Sequence, residues 1–314
     1  MRTKAAVLRN IGGPLVIEEL GIPKLEFGQV LVKVLYSGLC RSNINEINGR
    51  KGAEFIPHLT GHEASAVVVE VGIGVTKVKE GDYVVCSWIK GFGLEAQAVK
   101  YNSDKGLVNA GTCSTFSEYA VVSENKVVHI PEKIGPDVAA LLGCAVPTGA
   151  GIIDSSGVKS GQKLAVFGIG GIGASALMRA EALNLDCTAF DISPWKFVWV
   201  KLQFGVKVKT INVAVFDHSN SFDLAIECSG NKSAMEMAFD SLKKGGTAII
   251  AGNLEPGEKI SIDPFELVKG KKLRGTWGGE CFLDRDVPFY AEEHLRGQLP
   301  IEKLITKVYS FDRI

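Results

Sequence analysis

The chain has 314 residues, 46% of them apolar, and 35 Lys plus Arg balance 35 Asp plus Glu. At about 150 residues per domain this length suggests two domains, and the balanced charge argues against a nucleic-acid or anionic-membrane partner. The apolar runs break well before the ~18 residues of a membrane span, MRTKAAVLRN lacks the apolar stretch of a secretion signal, and seven irregularly spaced cysteines fit a reducing cytoplasm better than a disulfide framework.

Up to about residue 145 the chain alternates in short β-branched runs: LVIEEL, QVLVKVLYS, ASAVVVEVG, DYVVCSW and FSEYAVV. The turn sequences EFGQ, KEGD and VSEN separate some of them, so this part is predicted to be mainly β with short helices. From Pro147 the period changes. KLAVFG reads as a buried strand and GIGASALMRAEALNL as a helix with Ile172, Ala176 and Leu183 on one stripe. CTAFD is a second strand and SPWKFVWVKLQFG a second helix; DLAIECSG, a helix through Met235 to Leu242, and GTAIIAG follow. Alternating strand and helix predict an α/β unit, a doubly wound parallel sheet covered on both faces. Between VKVKTI and DLAIECSG too few residues remain for an ordinary crossover, so an irregular connection is expected around Asp217.

Gly168, Gly170 and Gly173 form G-x-G-x-x-G between a predicted strand and a predicted helix. In that context the glycines serve a tight turn, the approach of a pyrophosphate and helix–strand packing, and the helix N-terminus offers free N–H groups. Asp191 ends the next strand, where a carboxylate accepts the ribose hydroxyls of NAD and repels a 2′-phosphate; Ile192 and Ser193 offer no arginine to NADP. Cys40 in GLCRSN, His62 and Glu63 in LTGHEAS, and Cys144 in LLGCAVP supply two thiols and an imidazole. That is the ligand chemistry of a catalytic zinc with one open position, although core thiols and a hydrogen-bonded histidine are the commoner use of such residues.

GLCRSN, LTGHEASAVVVEVGIGVTKVKEGDYVV, FSEYAVV, CAVPTGAG, the glycine loop and GTWGG occur in one order. Together they resemble the zinc-containing medium-chain alcohol dehydrogenases, from about Met1 to Ile314. The resemblance implies a GroES-like, mainly β catalytic domain (1–146), a Rossmann domain (147–276) and a shortened return segment (277–314). It implies hydride transfer between an alcohol or polyol, or the matching carbonyl, and NAD, with NADP the lesser choice. Matched residue by residue, Cys40, His62 and Cys144 are the catalytic zinc ligands, and Glu63 is the neighbouring glutamate that can join the metal. Ser42 is the hydroxyl that takes the alcohol proton, and Arg41 contacts the pyrophosphate together with the loop of Gly168, Gly170, Gly171 and Gly173. Thr148 and Ile172 line the nicotinamide, and Lys196 lies near the adenosine ribose beside Asp191. Trp88 and Trp277 fall near the substrate and nicotinamide, with plain core packing an equal alternative.

The sequence departs from that pattern in places. No cysteine lies between Cys86 and Cys113, where many members bind a structural zinc, so none is expected and these two cysteines read as packing residues. Asn43 replaces an acid that often supports the zinc shell, and Asn45 stands near a position where some members end a proton relay with histidine. The chain stops at LITKVYSFDRI, short of a usual helix and returning strand, which bears on cofactor affinity. Two competing readings are a zinc-free quinone or alkene reductase of the same superfamily and a non-catalytic dinucleotide-binding protein. Retention of the Cys-His-Cys set argues against the first. EKISIDPFELVKGKKLRGTW resembles a region whose edge strand pairs across a dimer, so a cytoplasmic homodimer or homotetramer is expected.

Overall fold

The computed structural model describes residues 1–204, 209–212 and 220–314; the connection around Asp217 lies outside the described residues. Two compact units form. The first comprises Met1–Cys144, Phe282–Gly297 and Ile305–Ile314, and the second Ala145–Cys281 and Gln298–Leu304.

The first unit runs β1 (Arg2–Leu8), β2 (Leu15–Gly21), β3 (Gln29–Ser37), α1 (Arg41–Ile47), β4 (His58–Leu59), β5 (Glu63–Val71) and β6 (Tyr83–Ser87). It continues with β7 (Lys100–Ser103), β8 (Gly106–Ala110), β9 (Tyr119–Ser123), β10 (Val127–His129) and α2 (Pro136–Leu141). Strands β1-β2-β7-β8-β4 close a barrel, and β10-β6-β5-β3-β9 form a five-stranded sheet. The QVLVKVLYS run of β3 shows why. Alternation sends Val30 and Val32 into one core with Ala64, Ala66 and Val68, and Leu31 into the other with Leu20, Tyr101 and Val121. Both faces are covered over Gln29–Val32, while Lys33, Leu35 and Tyr36 further along the strand are exposed.

The second unit runs α3 (Ala145–Ser156), β11 (Lys163–Phe167), α4 (Gly171–Ala182), β12 (Asp186–Asp191), α5 (Pro194–Phe204), β13 (Lys209–Asn212) and β14 (Phe222–Glu227). It ends with α6 (Lys232–Asp240), β15 (Leu242–Ile250), α7 (Pro264–Val268) and β16 (Lys272–Gly275). The helix expected through Met235 to Leu242 starts earlier, because the Asn231 side chain caps it by accepting the Ala234 N–H (3.2 Å), and it stops at Asp240, with Leu242 opening β15. The parallel sheet has the order β13-β12-β11-β14-β15-β16. The chain winds outward from β11, then returns to β14, so the strand order reverses between these two. In such Rossmann sheets the crevice for a dinucleotide lies at the C-terminal ends of the strands at that reversal.

Helix α8 (Leu283–Leu295) belongs to the first unit and helps anchor the segment after β6. The Phe92 N–H donates to Asp284 Oδ2 (2.6 Å), and the Lys77 ammonium pairs with Oδ1 of the same residue (2.5 Å). The main tie is Glu124, which is 1% exposed. Its Oε1 accepts the N–H groups of Thr76 (2.7 Å) and Lys77 (2.8 Å), and its Oε2 that of Leu94 (2.6 Å). A carboxylate thus holds together a lobe that offers no cysteines. Cys86 and Cys113 lie in the apolar core with Val30 and Val122, and burial pushes both thiols up, Cys113 to about 12.

Burial alone would raise the Glu124 pKa, but the N–H donors of Leu94, Thr76 and Lys77 and the Lys77 charge bring it below 4.5. A depressed carboxylate stabilises the fold fully above its unfolded pKa, and this contribution disappears as pH falls through the folded value. Glu124→Ala, which strands buried donors, is expected to cost ~1–3 kcal/mol in urea unfolding at pH 7. Glu124→Gln should lower the midpoint at pH 7, and its gap to the wild type should narrow below about pH 4. A gap that stays constant with pH would contradict this role.

Candidate functional site

Helix α1 and the start of β5 build the first cluster. The N-cap of α1 is Cys40, in extended conformation, and Asn43 Oδ1 accepts the Cys40 backbone N–H (3.0 Å). This bond fixes which way the Asn43 amide points. Its Nδ2 then faces His62 Nδ1 at 3.4 Å, so one buried amide braces both residues. The amide thus turns its oxygen to the Cys40 backbone and its nitrogen toward the His62 ring.

Glu63 opens β5, and its carboxyl fills a slot that glycine makes possible. A Cβ on Gly38 would lie 2.4 Å from the Glu63 carboxyl carbon, and one on Gly143 2.7 Å from the Glu63 Cβ. Gly143 also brings Cys144 to the cluster, where the Trp88 indole N–H donates to its sulfur (3.2 Å). The ligand atoms of Cys40, His62, Glu63 and Cys144 all lie within 4.8 Å of one another. Glu63 and Cys144 are buried, and Cys40 and His62 half-buried.

The groups of the cluster shift one another's protonation. Hydrogen bonds from Cys144 first, then from His62 and Ser42, pull the Cys40 thiol down to about 3 against its burial. Its bond to Cys40, together with burial, pushes Cys144 well up. Burial opposes charge on His62, but the Cys40 contact and the fields of Glu63, Cys40 and Glu46 outweigh it and raise its pKa. Two thiols, an imidazole and a carboxylate gathered this closely fit a tetrahedral zinc, which favours N and S donors.

In the second unit, α4 starts at Gly171 behind Gly168 and Gly170, with Ile172 half-buried. Gly173 must be glycine, since a Cβ there would lie 2.0 Å from the Gly168 carbonyl oxygen. Asp191 Oδ2 accepts Ile169 N–H (2.7 Å) and the Lys196 ammonium (2.9 Å); Oδ1 accepts Ile192 N–H (2.8 Å) and Ser193 N–H (2.9 Å). Burial would raise Asp191, but Lys196 and these N–H groups hold it below its usual value. The Thr148 hydroxyl is buried in α3 with no hydrogen-bond partner. Arg41 is exposed at the start of α1, Asn45 is half-buried and Trp277 is 77% exposed.

Comparison with known proteins bears on the family and the fold. A model described as the alcohol dehydrogenase GroES-like domain matches residues 26–132, and one described as zinc-binding dehydrogenase matches residues 171–292. An S-(hydroxymethyl)glutathione dehydrogenase of Escherichia coli O1:K1 is 32% identical over 351 residues, covering 100% of this chain and 95% of its own. The crystal structure of an alcohol dehydrogenase zinc-binding domain protein from Burkholderia ambifaria has a TM-score of 0.91 at 27% identity, covering 100% of this chain and 94% of that one. The 2R,3R-butanediol dehydrogenase of Bacillus subtilis has a TM-score of 0.76 at 27% identity, covering 97% and 91%. Matches of this breadth define the class: an oxidoreductase with the two-domain fold of the medium-chain dehydrogenase/reductase superfamily. Within that class, the chain belongs to the zinc-type alcohol dehydrogenase family.

Asn43→Ala tests the brace directly. It is expected to lower the stability of metal-free protein by ~1 kcal/mol in urea unfolding and to speed loss of bound metal to a chelator. Unchanged stability and metal retention would show that the amide supports neither residue.

Proposed function

We propose that the protein is a zinc-dependent, NAD-linked dehydrogenase of small alcohols or polyols, able to run in reverse on the matching aldehyde or ketone. The observation that carries this reading is the close, partly buried set of Cys40, His62, Glu63 and Cys144. Cys40, His62 and Cys144 would hold the zinc, with Glu63 as a further donor. Zinc there supplies Lewis acidity that makes an alcohol proton easy to remove. The hydroxyl of Ser42, which hydrogen-bonds the Cys40 sulfur, takes that proton. Asn45 does not titrate near neutral pH, so the onward path runs through Ser42 and water.

A nicotinamide dinucleotide supplies the hydride acceptor. Gly168, Gly170, Gly171 and Gly173 offer the phosphates a helix N-terminus. The unpartnered Thr148 hydroxyl and half-buried Ile172 suit the nicotinamide. Asp191 favours NAD over NADP because its carboxylate repels a 2′-phosphate. All four of its lone-pair directions are in use, so a ribose hydroxyl competes with the Lys196 ammonium for Oδ2. Relatives named for S-(hydroxymethyl)glutathione and for 2R,3R-butanediol support a small hydroxylated substrate. Among the described residues no helix is long and apolar enough to cross a membrane. Strand β16 ends its sheet, beside exposed Phe265 and Val268 on α7, which supports a homodimer or homotetramer through that edge.

Chelation is expected to abolish NAD-dependent oxidation across a panel of primary and secondary alcohols, and added zinc to restore it. kcat/KM with NAD should exceed that with NADP by about tenfold or more, and Asp191→Asn should narrow the ratio. Full activity in metal-free protein would favour a zinc-free reductase. NADH binding without turnover of any alcohol would favour a binding protein.

A further inference from the structure

Glu227 ends β14 and pairs in register with Phe167 at the end of β11, directly at the reversal of strand order. It is 0% exposed. Its Oε1 accepts the Ser229 N–H (2.6 Å), the Ser229 hydroxyl (2.5 Å) and the Gly230 N–H (2.9 Å). Its Oε2 is buried with no hydrogen-bond partner, and a Cβ on Gly252 would come within 2.5 Å of it. Its backbone carbonyl accepts the N–H groups of Ala251 (2.8 Å) and Gly252 (3.1 Å). One residue therefore fastens the loops that follow β14 and β15.

Those loops reach the dinucleotide motif. A Cβ on Gly168 would lie 2.8 Å from the Ser229 nitrogen, and the Gly168 carbonyl in turn sits against Gly173. The line of close contact runs from the Glu227 carboxyl through Ser229 and Gly168 to the first turn of α4. At interior packing density, a shift of the Ser229 turn moves the glycine loop with it.

We propose that Glu227 is a positioning residue for the dinucleotide: by holding the Ser229–Gly230 turn against Gly168, it sets the height of the glycine loop and so the placement of the first turn of α4 for a pyrophosphate. This rests on the dinucleotide-binding reading of the second unit. Burial pushes the Glu227 carboxyl above its usual range, so the role is one of hydrogen-bonded shape rather than negative charge. A glutamine keeps an acceptor where Oε1 stands and should preserve the turn.

The test is NADH titration by fluorescence on purified wild type, Glu227→Gln, Glu227→Ala and Ser229→Ala, each also followed by urea unfolding. Glu227→Gln is expected to bind NADH within about threefold of wild type, and folded Glu227→Ala to bind about tenfold or more weakly, because it leaves three donors unmet. Ser229→Ala, which removes one of them, should fall between. If Glu227→Ala is less stable but its folded form binds NADH like wild type, the residue is merely structural and the proposal fails. It also fails if the glutamine variant binds as poorly as the alanine variant, since charge would then be the cause. If Glu227→Ala does not fold, Ser229→Ala decides: weakened binding supports the proposal and unchanged binding overturns it. A wild type that does not bind NADH refutes the underlying dinucleotide reading, and the proposal falls with it.

Discussion

Four groups that each seek a positive partner or a proton are held within 4.8 Å of one another, and the first unit is arranged around that crowding. Burial makes each uncompensated charge expensive, so the cluster in isolation turns to shared protons and hydrogen bonds. The surrounding sequence serves the crowding more than it relieves it. Gly38 and Gly143 make room for Glu63, Asn43 ties Cys40 to His62, and Trp88 places an N–H on the Cys144 sulfur. Together they hold two sulfurs, an imidazole and a carboxylate in the arrangement on which the proposed zinc site rests.

The second unit handles carboxylates in another way. Asp191 and Glu227 close two strands of the same sheet, yet their surroundings drive them apart. Asp191 has Lys196 and three backbone N–H groups, and stays ionised readily. Glu227 has its hydrogen-bond donors on Oε1, so burial wins and its carboxyl is pushed above its usual range. The first carries the proposed recognition of a ribose, and the second fastens loops. Two acids at comparable places in one sheet thus take different tasks because their environments differ.

Much of this was legible in the sequence where the signal is local. The β3 run, the glycine loop between β11 and α4, and the order of GLCRSN, GHEAS and CAVPTGAG all carry their meaning within a few residues. What escaped are partners far apart in the chain. Glu124 acts on Thr76, Lys77 and Leu94, and nothing in VSEN marks it as more than a turn. Glu227 looked like one residue of a buried strand, because its partners form a turn whose shape is set by contact with Gly168. Strands β7 and β8, KYNS and GLVNA, lack a β-branched alternation; they pair because the barrel closes through β2 and β4. The Asn43 amide was found but its orientation was not, since only the folded backbone shows which donor takes the oxygen.

X-ray absorption at the zinc edge of purified protein tests the central claim most directly. The account predicts two sulfur neighbours at about 2.3 Å and nitrogen or oxygen at about 2.0–2.1 Å, with one sulfur lost in Cys144→Ser. A zinc shell made only of nitrogen and oxygen, or an unchanged sulfur count in that variant, would contradict it.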